Sequence, residues 1–309
     1  MISLEQRDPI FQAAVASIDA GDLPALERQL AINPWLGWER LEEPGKWLRD
    51  QVGDALDGFF QKPYLLWFVT EDPVRNGKLP SNIVTIARTI IATAKAAQAA
   101  SLPNTADYAL RLVCWSWIAR ECGVQIDLID VMLGAGATLD GEQVYEGRYG
   151  THADSAIYNR NFAAAEHLIA RGATVTLTVA ACLNRWDDLE RLASKASRSD
   201  LENAFVQSAL NGNPEALRRM LALGLDPTTV SERNQSHGTA LHHAVWSGSL
   251  DAVKVLVEAG ADLSRRDTIY NGTPLGWAQH AQEQEKDPTK AENYRRIAEY
   301  LKTAATRST

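Results

Sequence analysis

Three imidazoles, His237, His242 and His243, fall within seven residues and raise the question of a metal site. Zinc needs three or four ligands converging on one point, spaced so that they share a face. His242 and His243 are adjacent, so they point to different faces of a helix, and no His-Glu-x-x-His run accompanies them. Nucleophilic chemistry fares no better. Trp246-Ser247-Gly248-Ser249 is only superficially like a Gly-x-Ser-x-Gly elbow, and Cys114 lies in an apolar run. Cys122 sits in a polar connection beside Glu121, whose charge works against a thiolate. Gly134-Ala-Gly136-Ala-Thr-Leu139 starts like a dinucleotide fingerprint but lacks the third glycine and ends a helix rather than following a strand. The acidic pairs Asp187-Asp188 and Glu42-Glu43 read as exposed, with nothing to raise a carboxyl pKa for acid work. The sequence predicts no catalytic residue, no metal and no cofactor.

The elements around these residues are more regular than the residues themselves. Residues 238 to 262 read as a short helix opened by a turn, a connection holding Gly248, a second helix and a stop at Gly260. The same grammar returns at Asn271-Gly272-Thr273-Pro274-Leu275. This stretch resembles an ankyrin repeat, with Ala240 where that family's pattern has proline. Such a repeat cannot bury its apolar face alone, so one copy implies neighbours. The ends of successive second helices, near residues 136, 172, 196, 224 and 260, are spaced 36, 24, 28 and 36 residues apart. Glycine suits most of these ends, because a helix commonly stops with a left-handed residue.

Upstream, residues 13 to 36 form a capping pair with Asp22 as N-cap. Tyr64 to Thr70 and Ser81 to Lys95 pair as a short helix and a periodic one, with Ile83, Ile86, Ile90 and Ile91 on one face. Further pairs cover about 107 to 137 and 271 to 302, the last with a polar insertion at 282 to 292. The expectation is an all-α solenoid of about eight helix pairs. It divides into a capping repeat (1–36), an irregular aromatic-rich insertion (37–80), divergent repeats (81–200), and clear repeats with a C-terminal cap (201–309). A second departure, residues 140 to 150, reads as a hairpin-like extension holding Glu142 and Tyr145.

Composition narrows the function classes. A net charge of −8 provides no basic field for nucleic acid or anionic membrane. Three cysteines make no disulfide framework, and no run of roughly 20 apolar residues or secretory leader is visible. The reading is a soluble, cytoplasmic, acidic protein.

The resemblance assigns roles by position. It implies that His242 fastens neighbouring turns, that Thr239 and Thr273 cap helices, and that Ala156, Ala244 and Ala278 sit where helices cross closely. Trp186 aligns with Leu250 and reads as core. Family members bind partners with the two residues before the inter-helix glycine and with the turn tips. Here those are Trp246 and Ser247, Tyr158 and Asn159, Leu210 and Asn211, with His280 and Ala281 in the last pair. Turn-tip candidates are Arg148, Tyr149, Glu232, Arg233, Arg265, Arg266 and Tyr270. The resemblance thus implies a non-catalytic scaffold that binds another protein across its concave face, as a monomer or weakly self-associating. Net acidity suggests a partner with a basic or neutral contact surface. The alternatives are a small-ligand binder or enzyme using an aromatic pocket in residues 37–80, around Trp38, Trp47, Tyr64 and Trp67, or a self-associating structural protein.

Overall fold

A computed structural model describes residues 4–141, 150–233 and 236–307. All named elements among them are helical, and they group into two units, residues up to Thr174 and residues from Val175 onward. No helix of the described residues is long and apolar enough to cross a membrane. Of the extension expected at 140 to 150, residues 142 to 149 lie outside the described residues.

The first unit contains α1 (Leu4–Ala20), α2 (Leu23–Ile32), α3 (Lys46–Val52), α4 (Ile83–Ala96), α5 (Leu102–Trp115), α6 (Trp117–Glu121), α7 (Gln125–Gly134), α8 (His152–Tyr158) and α9 (Phe162–Ala170). Four pairs stack in it: α1 with α2, a 3-10 turn at Leu65–Thr70 with α4, α5 with α7, and α8 with α9. Asp22 caps α2 by accepting the Ala25 N–H at 2.9 Å. Gly21 ends α1 at φ +68, a left-handed conformation that L side chains rarely adopt. Ile83, Ile86 and Ile90 are fully buried on one face of α4, as their spacing requires.

Residues 37–80 are less irregular than their composition implies. They hold α3 and two 3-10 turns, and their rings are used in packing. Phe60 lies 5.2 Å from Phe68, Phe68 lies 5.6 Å from Phe11, and Trp67 lies 4.3 Å from Tyr108. Trp67 Nε1 donates to the Thr105 carbonyl, Trp47 Nε1 donates to Asp8, and the Tyr108 hydroxyl donates to the Phe59 carbonyl. With only a 3-10 turn in place of a first helix, this pair fills its space with large rings. The following loop is organised by one carboxylate. Glu71 accepts the backbone N–H groups of Arg75, Asn76 and Gly77, and the Arg75 guanidinium bridges Glu71, Asp19 and the Phe68 carbonyl.

The second unit contains α10 (Leu177–Cys182), α11 (Trp186–Ala193), α12 (Arg198–Leu210), α13 (Pro214–Ala222), α14 (Ala240–Trp246), α15 (Leu250–Glu258), α16 (Pro274–Gln284) and α17 (Pro288–Arg307). Consecutive helices pair, giving four more pairs and eight in all among the described residues. First helices also pack on first helices, α10 on α12 on α14 on α16, and second helices on second helices, α13 on α15 on α17. One continuous apolar core results, including Leu217, Met220, Leu241, Val253, Leu256 and Ile297. Truncating any of the buried leucines to alanine costs about 2–5 kcal/mol by lost transfer energy and cavity formation. Most of the proposed polar insertion is helix: α16 runs to Gln284 and α17 starts at Pro288. Trp186 is half-buried at the start of α11, packed on the core on one side and covered by the Arg219 guanidinium at 4.5 Å.

Burial and the neighbouring Glu71 charge push the Asp72 carboxyl up to about 7. The folded chain therefore holds a proton between about pH 4 and pH 7 that the unfolded chain releases. Stability from this group falls as pH rises through that window. Asp72→Asn should abolish that slope and raise the urea midpoint more at pH 8 than at pH 5, where a uniform shift at both would contradict the assignment.

Candidate functional site

Three of the exposed large apolar side chains of the second unit lie near where α14 and α16 pack together. Trp246 is 52% exposed at the end of α14, and Ile269 and Tyr270 are 63% and 74% exposed on the turn that precedes α16. Trp246 and Tyr270 border a cavity of about 650 Å3, which is lined also by Leu210, His237, His243, Gly272, Gly276, Trp277 and His280.

Trp277 is the hub of this cavity. His237 stacks on it, with centroids 5.6 Å apart and planes 27° apart. His242, His243 and Trp246 meet it edge-on at 5.1, 6.0 and 6.1 Å. His237 also meets His243 and Tyr270 edge-on. Helical spacing explains the grouping. His243 precedes Trp246 and Ser247 by three and four residues, and Trp277 precedes His280 and Ala281 by the same steps, so each set shares one helix face.

Two polar residues fix the hub. Asp267 Oδ2 accepts the Trp277 Nε1–H at 2.9 Å and the Gly272 N–H at 2.8 Å, while Oδ1 accepts the N–H groups of Ile269 and Tyr270. Although burial opposes ionisation, these four donors hold the carboxyl well below the usual carboxylate range. His242 is structural, as its position implies. Its Nδ1 accepts the Thr239 N–H at 3.2 Å, which leaves Nε2–H to donate to the Gly272 carbonyl at 3.1 Å. Burial holds this imidazole below its ordinary value, although the Gly272 bond favours the cation. The neutral ring satisfies both bonds.

Leu210, Trp246, Tyr270 and His280 among the sequence candidates are brought together here, with Ser247 beside them. Ser247 Oγ donates to the Ala244 carbonyl and accepts the Ser249 N–H, which closes the end of α14. Asn211 is half-buried, donating to the Gln207 carbonyl and to Cys182 Sγ. Arg233 pairs with Asp200 at 2.6 Å, and Arg265 is exposed on the turn before Asp267. Tyr158 is half-buried and Asn159 exposed at the end of α8 in the first unit. Arg148 and Tyr149 lie outside the described residues.

His237, His243, Trp277 and Asp267 are the additions that position alone did not mark as a site. His243 and Trp277 occupy corresponding positions, one helical turn before the expected contact pair, and that periodicity is the signal that could have found them. Among the described residues no group of three His, Cys, Asp or Glu could hold a metal ion. What this arrangement offers chemically is a preformed aromatic recess with imidazole donors.

Asp267→Asn replaces one acceptor oxygen by an N–H2 group that faces donors. A loss of about 2–4 kcal/mol is expected, because hydrogen bonds to buried charge contribute roughly 1.5–3 kcal/mol each and an orphaned donor adds to the cost. The wild-type contribution is full at neutral pH and fades as pH falls below the ordinary carboxylate value, since the folded group stays ionised longest. The gap between urea melts of the two proteins should therefore be smaller at pH 3 than at pH 7. A gap that is constant with pH would show that the carboxylate charge is not what holds the turn.

Part of the chain is similar to known proteins. The family model described as ankyrin repeats, in three copies, matches residues 156–267. A serine/threonine-protein kinase VIK of Arabidopsis thaliana is 35% identical over 97 residues, which are 31% of this chain and 21% of the kinase. An ankyrin repeat protein of Pyrobaculum aerophilum is 40% identical over 83 residues, 27% of this chain and 29% of that protein. The chain thus spans less than a third of the length of these curated relatives. Among solved structures, an ankyrin repeat domain from Acinetobacter baumannii aligns with TM-score 0.34 and 23% identity, covering 64% of this chain and 98% of that one. The ankyrin repeat domain of human ASB11 aligns with TM-score 0.34 and 16% identity, covering 70% and 96%. The helix pairs, their glycine stops and the family match together identify ankyrin repeats in residues 156–267 of this chain.

Proposed function

We propose that this chain is a non-catalytic, cytoplasmic interaction scaffold that binds another protein through the exposed face of its first helices and its turn tips. Ankyrin repeats are generally protein–protein interaction modules, and that supports the class. The observation that carries the reading is Trp246. It is 52% exposed although Leu241, Ala244 and Val245 on the same helix are fully buried, so the apolar core does not account for it. Trp and Tyr are the side chains enriched in binding hot spots, because they bring large contact area at low entropic cost. The Trp246 ring is held at its side by Trp277, and its backbone is tied down where its carbonyl accepts the Tyr294 hydroxyl at 3.0 Å. A side chain already fixed loses little freedom on binding.

Trp246→Ala should fold normally, with a melting temperature within a few degrees of wild type, and lose a partner recovered by affinity capture from the host. Tyr158→Ala tests the same role for the first unit. Retention of every captured protein by both variants would remove this reading, and a large fall in melting temperature in both would reassign the two rings to packing.

A further inference from the structure

Asparagine followed by glycine is the pairing most open to spontaneous loss of the side-chain amide, because glycine has no Cβ to hinder ring closure. The chain has three such pairs, Asn76-Gly77, Asn211-Gly212 and Asn271-Gly272. We propose that Asn271 is a deamidation site, activated by Arg266 and restrained by Asp267, and the first of the three to react.

In this reaction the Gly272 nitrogen gives up its proton to solvent and bonds to Asn271 Cγ. The Cγ–Nδ2 bond breaks, and Nδ2 takes up a proton and leaves as ammonia. Water then opens the resulting succinimide at either carbonyl, giving aspartate or isoaspartate.

Side-chain freedom sets Asn211 aside. It is half-buried at the end of α12, and its Nδ2 donates to the Gln207 carbonyl and to Cys182 Sγ. Asn76 and Asn271 are both exposed, and among the described residues neither side chain makes a hydrogen bond. Arg266 separates these two. Its guanidinium donates to the Asn271 carbonyl at 2.6 Å. When the Gly272 nitrogen loses its proton, resonance spreads the charge onto that carbonyl oxygen, where a cationic donor stabilises it. Among the described residues no cation donates to the Asn76 or Asn211 carbonyl.

Asp267 works in the opposite sense. Its Oδ2 accepts the Gly272 N–H at 2.8 Å, which is the proton that must leave. A carboxylate bonded to that proton disfavours its loss. Glu71 Oε1 does the same for the Gly77 N–H at 3.0 Å, with no guanidinium opposing it on the Asn76 carbonyl. The reaction would alter the recess whatever the recess binds. Either product places a carboxylate beside Arg266. Isoaspartate also adds a methylene to the backbone just before Gly272, whose carbonyl is held by His242.

The test is peptide mapping by mass spectrometry of the full chain, aged in mild alkali below the melting temperature of each variant. Asn76 and Asn211 serve as internal references. In the wild type Asn271 should deamidate first. Arg266→Gln should slow Asn271 and leave the other two unchanged. Asp267→Ala, which introduces no new amide, should speed Asn271 alone by about tenfold, the order expected from losing a hydrogen bond to a charged acceptor. Reaction at Asn76 or Asn211 before Asn271 overturns the proposal, as does an Asn271 that lasts as long as asparagines not followed by glycine. An Arg266→Gln rate equal to wild type also overturns it. So does Asp267→Ala that leaves Asn271 unchanged, or that speeds all three pairs alike, since the latter marks general opening rather than an unmasked nitrogen. None of these readouts depends on partner capture, so failure here leaves the scaffold reading untouched.

Discussion

A stack of helix pairs depends on satisfying the backbone of the turns between them. Helix interiors pair their own N–H and C=O groups, but each connecting turn leaves such groups at a buried seam, where an unpaired one costs about as much as a lost hydrogen bond. This chain answers with a buried or half-buried polar side chain at nearly every seam. Asp107 accepts the Thr138 N–H at 2.9 Å, and Asp140 accepts the Thr174 N–H at 2.8 Å. Asn161 donates to the Cys114 carbonyl, Asn213 to the Ala181 carbonyl, and His242 to the Gly272 carbonyl. Aspartate, asparagine and histidine share the same task at different seams. Ordinary apolar packing then accounts for the remaining stability of each unit.

These polar residues also place the candidate site. Trp277 would be one more core-edge ring without Asp267, which fixes its indole N–H and folds the 267–272 turn so that Tyr270 stands at the rim. His242 pulls the same turn against α14, which carries His243 and Trp246. The recess is therefore a consequence of two seam bonds, and its rigidity belongs to the scaffold rather than to the rings that line it. Rigid presentation is what an interaction surface needs, because disorder in the free state would subtract from affinity.

How much was legible follows from what carries periodic information. Helix pairs and their ends were readable because glycine stops, capping residues and apolar faces recur at fixed steps; Gly248 at φ +74 and Gly260 at φ +94 show why glycine stands there. Trp246 was readable as a contact position that the resemblance implies, and its exposure came only from the structure. Residues 37–80 were legible only as aromatic-rich, since rings packing across distant segments, such as Trp67 on Tyr108, leave no local pattern. Asp267 was not legible at all. A single aspartate in a turn is unremarkable until the four donors converging on it are seen. The three histidines first considered as metal ligands turned out to divide their labour, with His242 in the seam and His237 and His243 in the recess.

The glycines just before the two capping threonines tie scaffold to site most closely. A Cβ on Gly272 would sit 3.0 Å from Trp277 and 3.1 Å from Asp267, and one on Gly238 would sit 3.1 Å from His242 and 3.3 Å from His243. Each glycine therefore lets the following helix start close enough for its ring, Trp277 or His243, to lie against the turn. The repeat grammar accounts for a glycine in a turn on conformational grounds alone. Here, the same residue is needed because an indole and a carboxylate must approach the backbone. A repeat can thus keep its generic pattern unchanged and still acquire an individual surface, since the space that pattern already leaves beside the turn is where these rings have settled.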